Sequence, residues 1–109
     1  MRSELAELKS SFKFLIQNLI TRIDEICNDL ESDDVDRLIF WIEDLSVLTE
    51  SMVILSQNKE VEIDVALFNE KVEMLLNKFE DQDYIYVADI LKFEIKPLLT
   101  YWDGCIIHD

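Results

Sequence analysis

A chain of 109 residues, half of them hydrophobic but with a single glycine and a single proline, has too few turns for a sandwich or barrel and reads as one helical domain. Its 24 acidic against 10 basic residues leave a net charge of −14, a field that repels phosphate backbones and anionic lipid and argues against nucleic acid or membrane as partner. Charge of that sign favours a basic or neutral protein partner, or serves solubility alone.

The N-terminal residues are polar and start a helix rather than an apolar signal region, and no apolar run reaches the ~18 residues of a membrane span. The two cysteines, Cys27 and Cys105, form no CxxC pair. A cytoplasmic protein with free thiols is the expectation.

The first helix is predicted over 4–30, capped by Ser3, with an apolar stripe at Leu5, Leu8, Phe12, Leu15, Leu19, Ile23, Ile26 and Leu30. Ile16, Ile20 and Cys27 widen that stripe on one side. The acids that follow, Asp29, Glu31 and Asp33, alternate as in a calcium loop, but Asp34 and Phe40 stand where such a loop needs glycine and glutamate. They read as turn and capping residues, and no metal is predicted.

The second helix is predicted over 34–57. Leu38, Trp41, Leu45, Leu48, Met52 and Leu55 form its inward stripe. A second row, Phe40, Val47 and Ile54, repeats every seven residues on the far side. Such a row drifts only ~20° per step, so it makes a straight seam suited to another helix. The expected cover is a second copy of the chain across a two-fold axis, giving a homodimer, with an intramolecular neighbour as the other solution.

Gln57–Ile63 is a polar connection pinned by Val61 and Ile63, and Asp64 is an N-cap. The third helix, over 64–80, turns Val65, Phe68, Val72, Leu75 and Phe79 inward.

The fourth helix, over 84–102, is the most apolar and aromatic stretch. Asp83 caps it, and Tyr84, Ala88, Leu91, Ile95, Leu98 and Trp102 share one face. Asp103-Gly104 is expected to close it, with the glycine in the left-handed conformation. Pro97 has no amide proton for the Phe93 carbonyl, so a kink or break is expected near Phe93–Pro97. Glu94 falls on the edge of the apolar face. A half-buried carboxylate there needs a cation or hydroxyl partner, or takes up a proton, which leaves a structural ion pair and a ligand site both open. Tyr86, Asp89, Phe93 and Thr100, with Pro97 beside them, form an outward row that is either packed by a neighbour or presented to a partner.

Little in the chain speaks for catalysis. The one histidine, His108, is next to the last residue, and a Cys105–His108 pair lacks a third group to orient it. There is no Glu-x-x-His pair and no glycine-rich phosphate loop. No catalytic residue, metal ligand or cofactor is assigned.

The segment Asp83-Tyr84 … Ala88-Asp89-Ile90-Leu91 … Phe93-Glu94-Ile95 … Pro97-Leu98-Leu99 resembles the C-terminal signature D-Y-x-x-x-A-D-[IL]-L-x-[YF]-E-[IL]-x-P-L-L of a family of small acidic helical proteins from Firmicutes without assigned function. Asn69-Glu70-Lys71 … Leu75-Leu76 is similar too. The resemblance covers the last third of the chain and implies no activity, but it makes Asp89, Phe93 and Glu94 motif positions.

The expected architecture is an all-α, antiparallel up-down four-helix bundle, with its fourth helix kinked near Pro97. The expected function is non-enzymatic protein binding, of adaptor or chaperone-like kind, through Tyr86, Asp89, Phe93, Glu94 and Pro97 and the seam Phe40, Val47 and Ile54. Acidic bundles that shield secretion or flagellar substrates are similar in size, an analogy of fold alone. The alternative is a small-molecule or enzymatic site around Glu94 between the helices.

Overall fold

A computed structural model of the chain describes residues 2–57 and 64–105. All secondary structure among these residues is helical: α1 (Arg2–Glu31), α2 (Asp36–Gln57), α3 (Val65–Glu80), and a fourth rod in which α4 (Tyr84–Ile90), a π-helical turn (Leu91–Ile95) and α5 (Lys96–Cys105) follow one another without a gap. The expected roles of Val61, Ile63 and His108 lie outside the described residues.

The molecule measures 46 × 23 × 20 Å. Its long dimension is that of α1, since 30 residues at a rise of about 1.5 Å span roughly 45 Å. Packed along α1 are α2 and all three parts of the fourth rod, while α3 lies mainly against α4 and the π turn. Because α1 has neighbours on two sides, its buried face is wide: Ile16 and Cys27 are fully buried beside Phe12, Leu19, Ile23, Ile26 and Leu30, and Leu15 is only partly covered. The helix already includes Arg2 and Ser3, so Ser3 does not cap it. Both are tolerable helix formers, and nothing local stops the turn from extending.

The two turns use one device. After α1, Asp33 takes φ 59°, Asp34 N–H donates to the Asp29 carbonyl at 3.0 Å and Asp33 N–H to Leu30 at 3.1 Å. After α3, Gln82 takes φ 59°, Asp83 N–H donates to Lys78 at 3.0 Å and Gln82 N–H to Phe79 at 3.0 Å. Each is a Schellman closure, satisfying two of the last carbonyls of a helix through one left-handed residue. Neither left-handed residue is glycine, although glycine bears that conformation at lower cost. Asp83 then starts the next helix, its Oδ1 accepting from Tyr86 N–H at 3.2 Å, and Asp64 does the same for Leu67 at 2.9 Å.

One apolar core runs the length of the molecule, without a buried polar or charged residue among those described. The inward stripe of α2, from Leu38 to Leu55, is wholly buried. Trp41 is the one member with a polar atom, and its Nε1–H donates to the Leu19 carbonyl of α1 at 2.9 Å. From the other side, Trp102 of α5 meets Phe68 of α3 with ring centroids 4.8 Å apart.

The π turn is where the fourth rod accommodates its proline. Lys96 N–H reaches back to the Leu91 carbonyl, five residues earlier, and Pro97 sits in the first turn of α5, beyond the widened segment. Widening the turn relieves the crowding that a proline ring imposes on the carbonyl four residues before it. The buried face of the rod departs from the expected stripe on both sides of that turn: before it, Val87 and Ile90 are buried while Tyr84 and Ala88 are only partly covered. Leu91, Ile95, Leu99 and Trp102 are buried, whereas Leu98, expected in the stripe, is only partly covered. The expected glycine cap is absent as well. The helix continues through Gly104 to Cys105, and no glycine has a positive φ. Asp103 is engaged instead by Lys13 of α1, whose Nζ donates to the Asp103 carbonyl at 2.7 Å and to its Oδ1 at 3.1 Å, so the last turn is held by a side chain.

Candidate partner-binding surface

The outward side of α2 carries the largest collection of exposed apolar side chains. Phe40 is 61% exposed, Val47 54% and Ile54 45%, and Ile39 and Val53 flank them. Since α2 is unbroken α-helix from Asp36 to Gln57, residues seven apart stay near one meridian and the row is straight. Its neighbour α1 lies on the inner side. The seam therefore forms part of the surface of the single chain, and neither Tyr86 nor Phe93 covers it.

Between the apolar positions stand acids. Asp36, Glu43 and Glu50 are all exposed and repeat every seven residues, and neither Glu43 nor Glu50 has a basic partner among the described residues. The basic side chains are largely engaged in joining helices. Arg22 binds Asp44, Arg37 binds Glu25 at 2.9 Å and Asp29 at 3.4 Å, Lys96 binds Asp24 at 3.3 Å, and Lys13 binds Asp103.

The outward row of the fourth rod is less regular. Tyr86 is exposed, with the Lys78 ammonium 4.8 Å from its ring centroid. Phe93 is 71% exposed, and Asp89, Pro97 and Thr100 are exposed too. The π turn lies between Tyr86 and Thr100, so residues seven apart across it do not share a meridian. Glu94 lies beside α3. Its side chain is 43% exposed and its Oε2 lies 3.3 Å from Lys71 Nζ of α3. The reading of Glu94 as an ion pair fits this geometry.

At the α1–α2 turn end, a groove of about 170 Å³ opens between α1 and α4, with Cys27 and Leu30 on its floor and Ile85, Asp89 and Lys92 among its walls. Cys27 is no nucleophile there. Burial pushes its thiol up, away from the reactive thiolate, and its Sγ–H points to the Ala88 carbonyl at 3.7 Å. No group of three metal-ligating side chains occurs among the described residues. The one buried side-chain oxygen without a hydrogen bond among the described residues, Asp29 Oδ2, faces the Arg37 guanidinium. No helix among the described residues is long and apolar enough to cross a membrane.

A family model described as "Domain of unknown function (DUF8042)" matches residues 7–104. The chain belongs to the DUF8042 family. That match takes in all four helices, so the α2 seam and the outward row of the fourth rod are both parts of the DUF8042 domain. No curated protein and no solved structure matches the chain.

Sequence reasoning missed part of this DUF8042 surface. Ile39 and Val53, fourteen apart, belong to the same side of α2 as the seam, and their spacing was a usable signal. Ile85 and Phe14, the two most exposed large apolar residues, have no periodic companions and so gave none.

Proposed function

We propose that the chain is a non-enzymatic protein-binding module, an adaptor or chaperone-like helical bundle. The observation that carries this reading is the exposure of Phe40, Val47 and Ile54 along an uninterrupted helix. The core is complete without them: the α2 stripe that faces α1 is already buried. Three large apolar side chains about half exposed forgo roughly 1 kcal/mol each, a loss that a covering partner removes. The alternative, a ligand or enzymatic site around Glu94, draws no support from a carboxylate that is exposed and paired with Lys71.

Within this reading the helices run up-down-up-down, as the short connections 32–35 and 81–83 favour, and the π turn bends the fourth rod around the core. The Asp83–Leu99 signature is shared with relatives from Firmicutes, and unpaired Cys27 and Cys105 suit a reducing cytoplasm. Phe93 and Tyr86 form a second, smaller contact area.

The test is site-specific photo-crosslinking in the native cell, with the photoreactive residue placed at Val47 or at Phe93. Discrete adducts to another protein at Val47 are expected. Absence of adducts at both positions overturns the reading.

A further inference from the structure

We infer that the seam of α2 receives an amphipathic helix of a partner protein whose own contact face alternates apolar with basic residues. The inference rests on the protein-binding reading above and names the class of partner. Phe40, Val47 and Ile54 interleave with Asp36, Glu43 and Glu50 at steps of four and three residues along the helix. That is the spacing at which two helices interdigitate as knobs into holes. One column of the seam is therefore apolar and the other anionic. The 22 residues of α2 amount to about three heptads, or roughly 33 Å of contact length.

The anionic column decides between occupants. In a symmetric pair of seams running parallel, Glu43 faces its own copy and Glu50 does the same. Running antiparallel, the carboxylates are set against Phe40, Val47 and Ile54 of the other chain. Both arrangements take carboxylates out of water without a cation, between two molecules that each carry a net charge of −14. A helix with lysine or arginine in the matching column supplies one cation to each carboxylate and an apolar side chain to each apolar position. The protein has few cations of its own to offer there, because Arg37 of α2 is bonded to Glu25 and Asp29, and Arg22 of α1 to Asp44.

The probes are two synthetic 21-residue helical peptides with leucine in one column and either lysine or glutamate in the other, titrated onto the full chain by fluorescence anisotropy. The lysine peptide is expected to bind with an affinity that falls as salt rises, and the glutamate peptide is not. Reversing Glu43→Lys with Glu50→Lys should exchange the preference between the two peptides. Val47→Ser with Ile54→Ser should weaken the lysine peptide by about tenfold or more, the apolar half of the seam being removed. Reversal of Glu70 and Glu73 to lysine, on the exposed side of α3, should change it by less than about twofold if the seam is the site. Circular dichroism confirms that each variant is folded. Equal weakening by the α3 pair shows diffuse charge attraction and overturns the inference. So does a wild-type dimer in sedimentation that Val47→Glu converts into a folded monomer, since the occupant is then a second copy. Cross-links at Val47 together with failure of the lysine peptide leave the binding module standing and remove the basic helix. Failure of both removes the two readings together.

Discussion

The indole of Trp41 is hydrogen-bonded to the carbonyl of Leu19 at 2.9 Å, in the buried seam between α2 and α1. A helix carbonyl accepting a second proton ties α2 to α1 in one rotational setting, and that setting turns the next-door Phe40, with Val47 and Ile54, to the outside. The inner bond and the outer seam are thus two consequences of one orientation. Trp41→Phe keeps most of the ring volume and loses the donor, leaving a small void where the larger ring had been. A loss of about 1–3 kcal/mol is expected in urea denaturation, and a neutral outcome would mean that packing alone sets the orientation.

Asp33 and Gln82 occupy the left-handed position of the two Schellman closures. A residue with a Cβ pays for that conformation, and glycine does not. Asp33→Gly and Gln82→Gly should each raise stability by about 0.5–1 kcal/mol despite the added freedom of the unfolded chain. The measurement is the denaturation midpoint at unchanged slope. A drop in stability would show that the side chains contribute contacts beyond the backbone turn.

Pro97 and the π turn are coupled. Deleting Phe93, an exposed member of the widened turn, removes the extra residue and forces an ordinary α-helix while leaving α5 in register. The proline ring then crowds the preceding turn, at a cost of about 3 kcal/mol. Combining the deletion with Pro97→Ala should recover most of it. If the deletion costs the same with and without the proline, the π turn has another cause.

Neighbouring leucines of α5 are unequal. Leu99 is wholly buried and Leu98 only partly. Leu99→Ala should cost about 2–5 kcal/mol, as a buried leucine does, and Leu98→Ala clearly less. Thermal melts of the two variants check the order, and the reverse order would restore an uninterrupted α-helical register.

Cys27 is buried and Cys105 exposed, and both are free. A thiol reagent should therefore modify Cys105 rapidly in the native protein and Cys27 only on unfolding. Burial raises the native pKa of Cys27 above the ordinary value of about 8.5 met in the unfolded chain. Over that interval the native state holds the proton that the unfolded state has lost. The contribution is present in full below about pH 8.5 and declines as pH rises through the interval. Cys27→Ser should flatten the alkaline decline, and an unchanged slope would show that other groups cause it.

Much of α2 was legible from residue spacing, because one unbroken helix converts sequence distance into angle by a constant rule. Leu38, Trp41, Leu45, Leu48, Met52 and Leu55 face inward and Phe40, Val47 and Ile54 outward for that reason alone. The caps at Asp64 and Asp83 were legible too, since a carboxylate beside orphan amide protons is a local event. In the fourth rod the rule holds only in part: Leu91, Ile95 and Trp102 are buried as expected, but Val87, Ile90 and Leu99 are buried where Ala88 and Leu98 were expected. Proline signalled a disturbance, but residue spacing did not say that the helix would widen into a π turn. Gly104 stays helical while Asp103 is held by Lys13, a residue 90 positions away. Glu94 meets Lys71 of α3, a pairing between elements that spacing along one helix does not give. The sequence by itself determined the helical class, the acidic field and the two-sided character of α2, all of which follow from composition and local periodicity. Tertiary structure alone decided which of the neighbouring apolar positions of the fourth rod are buried and which outward residues stay exposed, because both depend on what distant elements place against a helix face.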